Sequence, residues 1–136
     1  MYEHFEHTAD LGLRARAASL EEVLAEMGMA LSSAIVANLD AVRPLQEERF
    51  AVAGDDEEDL LIDWLAELLY TFETRRLVFS RFAVKRTAEG IEAVAHGERL
   101  DPPRHEPNND VKAITYHGLR LEREAESYLA EVIVDL

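Results

Sequence analysis

The tetrapeptide His7-Thr8-Ala9-Asp10 puts an imidazole, a hydroxyl and a carboxylate within four residues, between two short strand-like runs. Two chemistries suit it. One is a turn in which Asp10 or Thr8 hydrogen-bonds its own backbone; the other is a site with Asp10 as a working carboxylate. A second charged group stands at the far end of the chain, where the Asp135 side chain adjoins the main-chain carboxylate of Leu136. Adjacent anions repel unless water or a cation lies between them, so this end is either a frayed strand or a cation site. Lys112 is one of only two lysines, with Lys85, and enters a strand on the face of Ile114 and Tyr116. It either snorkels over those neighbours or serves a site.

The standard nucleophile templates are absent. There is no cysteine, no G-x-S-x-G, no glycine-rich phosphate loop and no H-E-x-x-H. His4 and His7 are three apart in a strand context, which sets them on opposite faces and speaks against a histidine zinc site. Net charge is −14, from 28 acids against 14 bases. That field opposes extended phosphate contact, so direct nucleic-acid binding is not expected, whereas a cation or a basic protein partner is favoured. The first residues lack the basic start and apolar run of a signal peptide, and no stretch has the length of a membrane span. With the lack of cysteine, this fits a cytoplasmic protein.

The elements that must position these residues are read from periodicity. Residues 2–6 and 11–17 read as strands, the second alternating Leu11, Leu13, Ala15 with Arg14 and Arg16. Ser19-Leu20-Glu21-Glu22 has the form of a capping box opening a helix with Leu20, Val23, Leu24, Met27, Leu31 and Ile35 on one face. Met27 and Met29 read as core filling. A strand over 45–53 is followed by five acids, 55–59. Leu60, Leu61, Trp64, Leu65, Leu68, Leu69 and Phe72 then recur at helical spacing, which assigns the acids to a helix N-terminus. Residues 77–87 and 91–100 read as a hairpin, 101–110 as an irregular loop carrying three prolines and His105, and 111–123 with 128–134 as a final hairpin. The expected architecture is a single α+β domain over 1–136, two helices packed on a largely antiparallel sheet in two layers.

In order along its whole length the chain resembles an archease. The resemblance is carried by His7-Thr8-Ala9-Asp10-Leu11-Gly12, Ser19-Leu20-Glu21-Glu22, and Asp59-Leu60-Leu61-Ile62-Asp63-Trp64-Leu65-Ala66-Glu67-Leu68-Leu69-Tyr70. It continues with Gly97-Glu98, His105, Val111-Lys112-Ala113-Ile114-Thr115-Tyr116-His117 and the ending Val132-Ile133-Val134-Asp135-Leu136. The resemblance implies a metal-binding, non-enzymatic accessory factor of the RtcB-type RNA ligase of tRNA splicing, promoting ligase guanylylation and multiple turnover. It implies a divalent metal, Ca²⁺ first, held by Asp10, Asp135 and the Leu136 main chain, with Lys112 matching a functionally important family lysine. His7 and Thr8 would then support the ligand rather than bind metal. An all-oxygen donor set also suits Mg²⁺ or Mn²⁺. Leu136 stands where isoleucine is common in the family, and the Glu106–Asp110 segment departs from the usual approach to the lysine motif. Two other readings stay open: a metal-dependent phosphoester hydrolase or phosphotransferase using Lys112 or a histidine, and a general chaperone-like binding module.

Overall fold

A computed structural model describes residues 1–7 and 10–136, apart from the side chain of His7. Its element order is two strands, helix, strand, helix and four strands, with short helical turns in two of the connections. Strand β1, Tyr2–His7, pairs antiparallel with β2, Asp10–Ala17. The alternation in β2 sets Leu13 and Ala15 into the core while Arg14 and Arg16 face outward. Helix α1, Leu20–Ile35, starts at Ser19, whose hydroxyl accepts from the Glu22 N–H at 3.1 Å. The Glu22 carboxylate accepts from Ala18, one residue before the cap, so the box closes slightly wider than its usual form. Strand β3, Gln46–Ala53, leads to helix α2, Glu57–Arg75. There Asp56 accepts from the N–H groups of Glu58 and Asp59, the capping role expected of the acidic run.

Strands β4, Leu77–Arg86, and β5, Gly90–Arg99, form the first hairpin, and β6, Ala113–Glu124, with β7, Ser127–Asp135, the last. The α+β class holds, and its seven strands divide into two antiparallel sheets, ordered β1-β2-β7-β6 and β3-β5-β4. The helices tie them together: α1 lies against β2 and β4, one strand from each sheet, and α2 against β6 and β3. A single apolar core results, with Leu13 and Val132 from one sheet and Phe79 and Ile91 from the other. At its centre the indole N–H of buried Trp64 donates to the Leu24 carbonyl at 2.9 Å, joining the helices. Phe50 and Phe82 pack edge-on to its ring, 5.5 and 5.9 Å between centroids. Met27 is fully buried and Met29 partly so, as core filling requires.

One expectation needs correcting. The segment 101–110 is not wholly irregular, because Pro102–His105 forms one helical turn, α3. Its two prolines occupy the first helical positions, where a missing N–H forfeits no bond and the fixed φ favours helix. No helix among the described residues is long and apolar enough to cross a membrane.

Candidate functional site

Antiparallel pairing fixes where the charged ends of the chain lie. Leu11 opposes Val134 across β2 and β7, and Ala113 opposes Asp135 across β6 and β7. Carried one residue further, the first register sets Asp10 opposite Asp135, and the second sets Lys112 opposite Leu136. Asp10 and Asp135, 125 positions apart in the chain, thus share one end of the four-stranded sheet. Opposed residues project to the same face. Leu11, Leu13, Val132 and Val134 face the core side of the sheet, so Asp10 and Asp135 fall on the other face, with Gly12 and Ile133 next along it. Asp10 is half-buried, Asp135 exposed, and Leu136 39% exposed, which leaves this end open to a partner.

Phe5 opposes Gly12 and its ring lies over that glycine, in the space a Cβ would take. The Arg14 guanidinium stacks on the far part of this layer, 4.5 Å from the Phe5 centroid, and is held by Glu131 at 2.7 Å and Glu3 at 2.9 Å. Those hydrogen bonds, Glu3 first and then Glu131, raise the Arg14 pKa. This cation is therefore already committed to other carboxylates. The Asp10 and Asp135 side chains make no hydrogen bond or ion pair with another described residue. The donors at this end are two carboxylates and main-chain oxygens, with no sulfur, a set that fits a hard divalent cation. No group of three or more His, Asp or Glu side chains suited to a metal occurs among the described residues. A cation here would need main-chain or water oxygens as well. The Thr8 residue and the His7 side chain lie outside the described residues.

Lys112 is exposed, and its N–H donates to the Asp135 carbonyl at 2.8 Å. Its placement depends on the preceding loop, which is pinned at both ends. Asn108 and Asn109 N–H groups donate to Ile35 and Ala34, the last carbonyls of α1, at 2.9 and 3.1 Å, and the Asn109 amide adds a second bond to Ala34. Helix ends leave such carbonyls without partners, so the loop supplies what α1 lacks. Buried Val111 then seats the strand start.

The other end of the loop is held by a cluster that sequence reasoning did not identify. The Glu98 carboxylate, 7% exposed, accepts from Arg104 at 2.7 and 2.9 Å and from Arg43 through its main-chain N–H at 2.7 Å and its guanidinium at 3.1 Å. His105, fully buried, accepts from the Asp101 N–H on Nδ1 at 2.9 Å, so its Nε2–H donates to Glu98 at 3.0 Å. Arg104 most of all, with Arg43 and His105, outweighs burial and holds the Glu98 pKa well below the usual carboxylate range. The Gly97-Glu98 and His105 motifs are visible in the sequence, but no periodicity links them across the turn, and Arg43 lies 55 residues from Glu98. His105 emerges as a clamp residue of this loop.

The model of the family described as the Archease protein family (MTH1598/TM1083) matches residues 2–136. The chain is 41% identical over 140 residues to the protein archease of Pyrococcus abyssi, covering 99% of this chain and 98% of that one. It is also 41% identical over 139 residues to that of Methanopyrus kandleri, covering 99% of each. The solution structure of Methanobacterium thermoautotrophicum protein 1598 matches with a TM-score of 0.85 at 34% identity, over 99% of this chain and 98% of the other. A crystal structure of an archease, possible chaperone, from Thermotoga maritima matches with a TM-score of 0.69, over 100% and 98% of the two chains. At 21% identity the latter shows the fold alone.

Proposed function

The chain belongs to the archease family, and from that premise we propose that it is a metal-binding accessory factor of an RtcB-type tRNA-splicing RNA ligase. In this reading it raises guanylylation and multiple turnover of the ligase and joins no RNA itself. The observation that carries the reading is the strand register, which sets Asp10 opposite Asp135 and starts β6, with Lys112, beside them. Asp10, Asp135 and the main-chain oxygen of Leu136 would hold a divalent cation, Ca²⁺ before Mg²⁺ or Mn²⁺. When bound, the cation supplies positive charge that draws and orients anionic groups, with coordination positions left for a partner's oxygens.

The chain's own residues support a helper rather than a catalyst. Asp10 and Asp135 stand here as ligands, and the chain offers neither a cysteine thiol nor a G-x-S-x-G serine as a nucleophile. Lys112, exposed just ahead of β6 with its own N–H bound to the Asp135 carbonyl, would meet a phosphate or carboxylate of the partner. The −14 net charge opposes RNA as the direct ligand and favours a basic protein surface.

Multiple-turnover ligation by an RtcB-type ligase, with and without the protein, tests this. Wild type is expected to raise turnover, and Asp10→Ala and Asp135→Ala to lose most of that effect. If both variants stimulate as well as wild type, the site assignment fails. Hydrolysis of phosphoesters in Mg²⁺ or Mn²⁺ that is abolished by Asp135→Ala would instead establish the hydrolase reading.

A further inference from the structure

Strand β3 ends the three-stranded sheet, with β5 on one side and no strand on the other among the described residues. The Gly54 N–H donates to the Glu89 carbonyl across the end of this ladder. Counting back in steps of two, Val52, Phe50 and Glu48 turn their main-chain groups toward β5. Glu47, Arg49, Ala51 and Ala53 therefore turn theirs to the open edge.

The two halves of that edge differ. The first is guarded by charge: Arg49 pairs with Glu47 at 3.1 Å, and Arg75 of α2 reaches across to Glu48 at 2.5 Å. Charged side chains are a usual protection of strand edges. The second half, Ala51-Val52-Ala53, carries none, and Ala51 and Ala53 are exposed. Beside it runs a groove of about 520 Å³, bounded on the helix side by Asp63, Ala66, Glu67 and Tyr70. Ala66 is small, which lets another backbone come close, and Tyr70 is 63% exposed, a large aromatic left at the wall. Asp63 and Glu67 are one helical turn apart, repel each other, and make no side-chain hydrogen bond or ion pair with a described residue.

We propose that this edge is a docking site for an extended peptide segment of a partner protein, with basic side chains at every second position. The segment adds as a fourth strand to β3, its main chain meeting Ala51 and Ala53. Side chains of a strand alternate between faces, so every second residue turns toward α2, where lysine or arginine meets Asp63 and Glu67. The opposite alternation faces exposed Ala51 and Ala53 and favours small or β-branched residues. A second copy of this chain fits badly, because edge-to-edge pairing would bring two Asp63–Glu67 pairs together in molecules of net charge −14. This site is separate from the Asp10–Asp135 end and stands whether or not the ligase reading does.

The test uses the full chain and two ten-residue synthetic peptides, one alternating lysine with valine or threonine, the other glutamate in place of lysine. With the lysine peptide, amide NMR is expected to show new exchange protection at Ala51 and Ala53. Binding should weaken at least about tenfold in the D63K/E67K variant, where opposite charge is replaced by like charge. A variant with the same net change elsewhere, D40K/E126K, should stay within about twofold of wild type. Both pairs of substitutions are at exposed positions, and a dispersed spectrum confirms each fold. The proposal is overturned if the control weakens binding as much as D63K/E67K, if Ala51 and Ala53 gain no protection, or if their protection rises with protein concentration alone.

Discussion

Replacing Glu98 with alanine is predicted to be among the most damaging single changes on this chain's polar residues. Glu98 is buried, while the guanidiniums it holds are 61% exposed for Arg43 and 31% for Arg104. Breaking a buried ion pair by removing one partner costs about 3–5 kcal/mol. Solvent screens the Arg43 arm and part of the Arg104 arm, which brings the expected loss down to about 2–4 kcal/mol. Part of it comes from His105, fully buried, whose Nε2–H would lose its acceptor. For a domain of this size that corresponds to a fall in Tm of about 6–16 °C.

Glu98 also dictates the direction of pH dependence. Its folded pKa is depressed, so its contribution is complete above the unfolded glutamate value of about 4.3. It is lost as pH falls from there toward the folded value. Urea unfolding of wild type and Glu98→Ala from neutral pH down to about pH 2 should show the stability gap narrowing below about pH 4. Amide exchange at residues 106–112 should quicken in the variant, because the loop loses one of its two anchors. A Tm change under about 3 °C, or a gap that widens in acid, would refute the reasoning.

Other outcomes follow from single contacts. Asp56→Ala removes the acceptor for two N–H groups at the start of α2 and should cost about 0.5–2 kcal/mol in urea unfolding. Gly97→Ala would place a Cβ against the backbone of Val78 and Phe79 on the neighbouring strand. Because backbone cannot swing aside as a side chain can, it should destabilise by about 1–3 kcal/mol or more. Trp64→Phe removes the indole bond to the Leu24 carbonyl and leaves a void, and should cost about 2–4 kcal/mol by thermal unfolding.

Local signals are legible in the sequence because their physics is local. The Ser19 cap, the acids before α2 and the alternation of Leu13 and Ala15 with Arg14 and Arg16 each involve residues within one or two turns. Partition of the strands into two sheets depends on pairings such as Glu48 with Ala95, far apart in the chain, and no period reveals them. The same limit hid the Glu98 clamp: a glutamate in an alternating strand looks solvent-facing until Arg43 and Arg104 are brought to it. The sequence of β6 reads as one continuous strand, yet its register with β7 shifts between Thr115 and Arg120, where Gly118 takes a left-handed φ of 69°. There exposed Tyr116 leans to α2 and donates to Asp59 at 3.1 Å, a bond that raises its pKa. In the sequence only family resemblance links Asp10 with Asp135, since residues so far apart in a chain share no spacing that composition or period can detect.

A calorimetric Ca²⁺ titration of the wild-type chain beside Asp10→Asn and Asp135→Asn addresses the proposed site most directly. Asparagine keeps the size of each side chain and removes its charge, so the strands should pair as before. A single site is expected in wild type, with affinity reduced at least about tenfold by either substitution. Equal Ca²⁺ binding by all three proteins would contradict it.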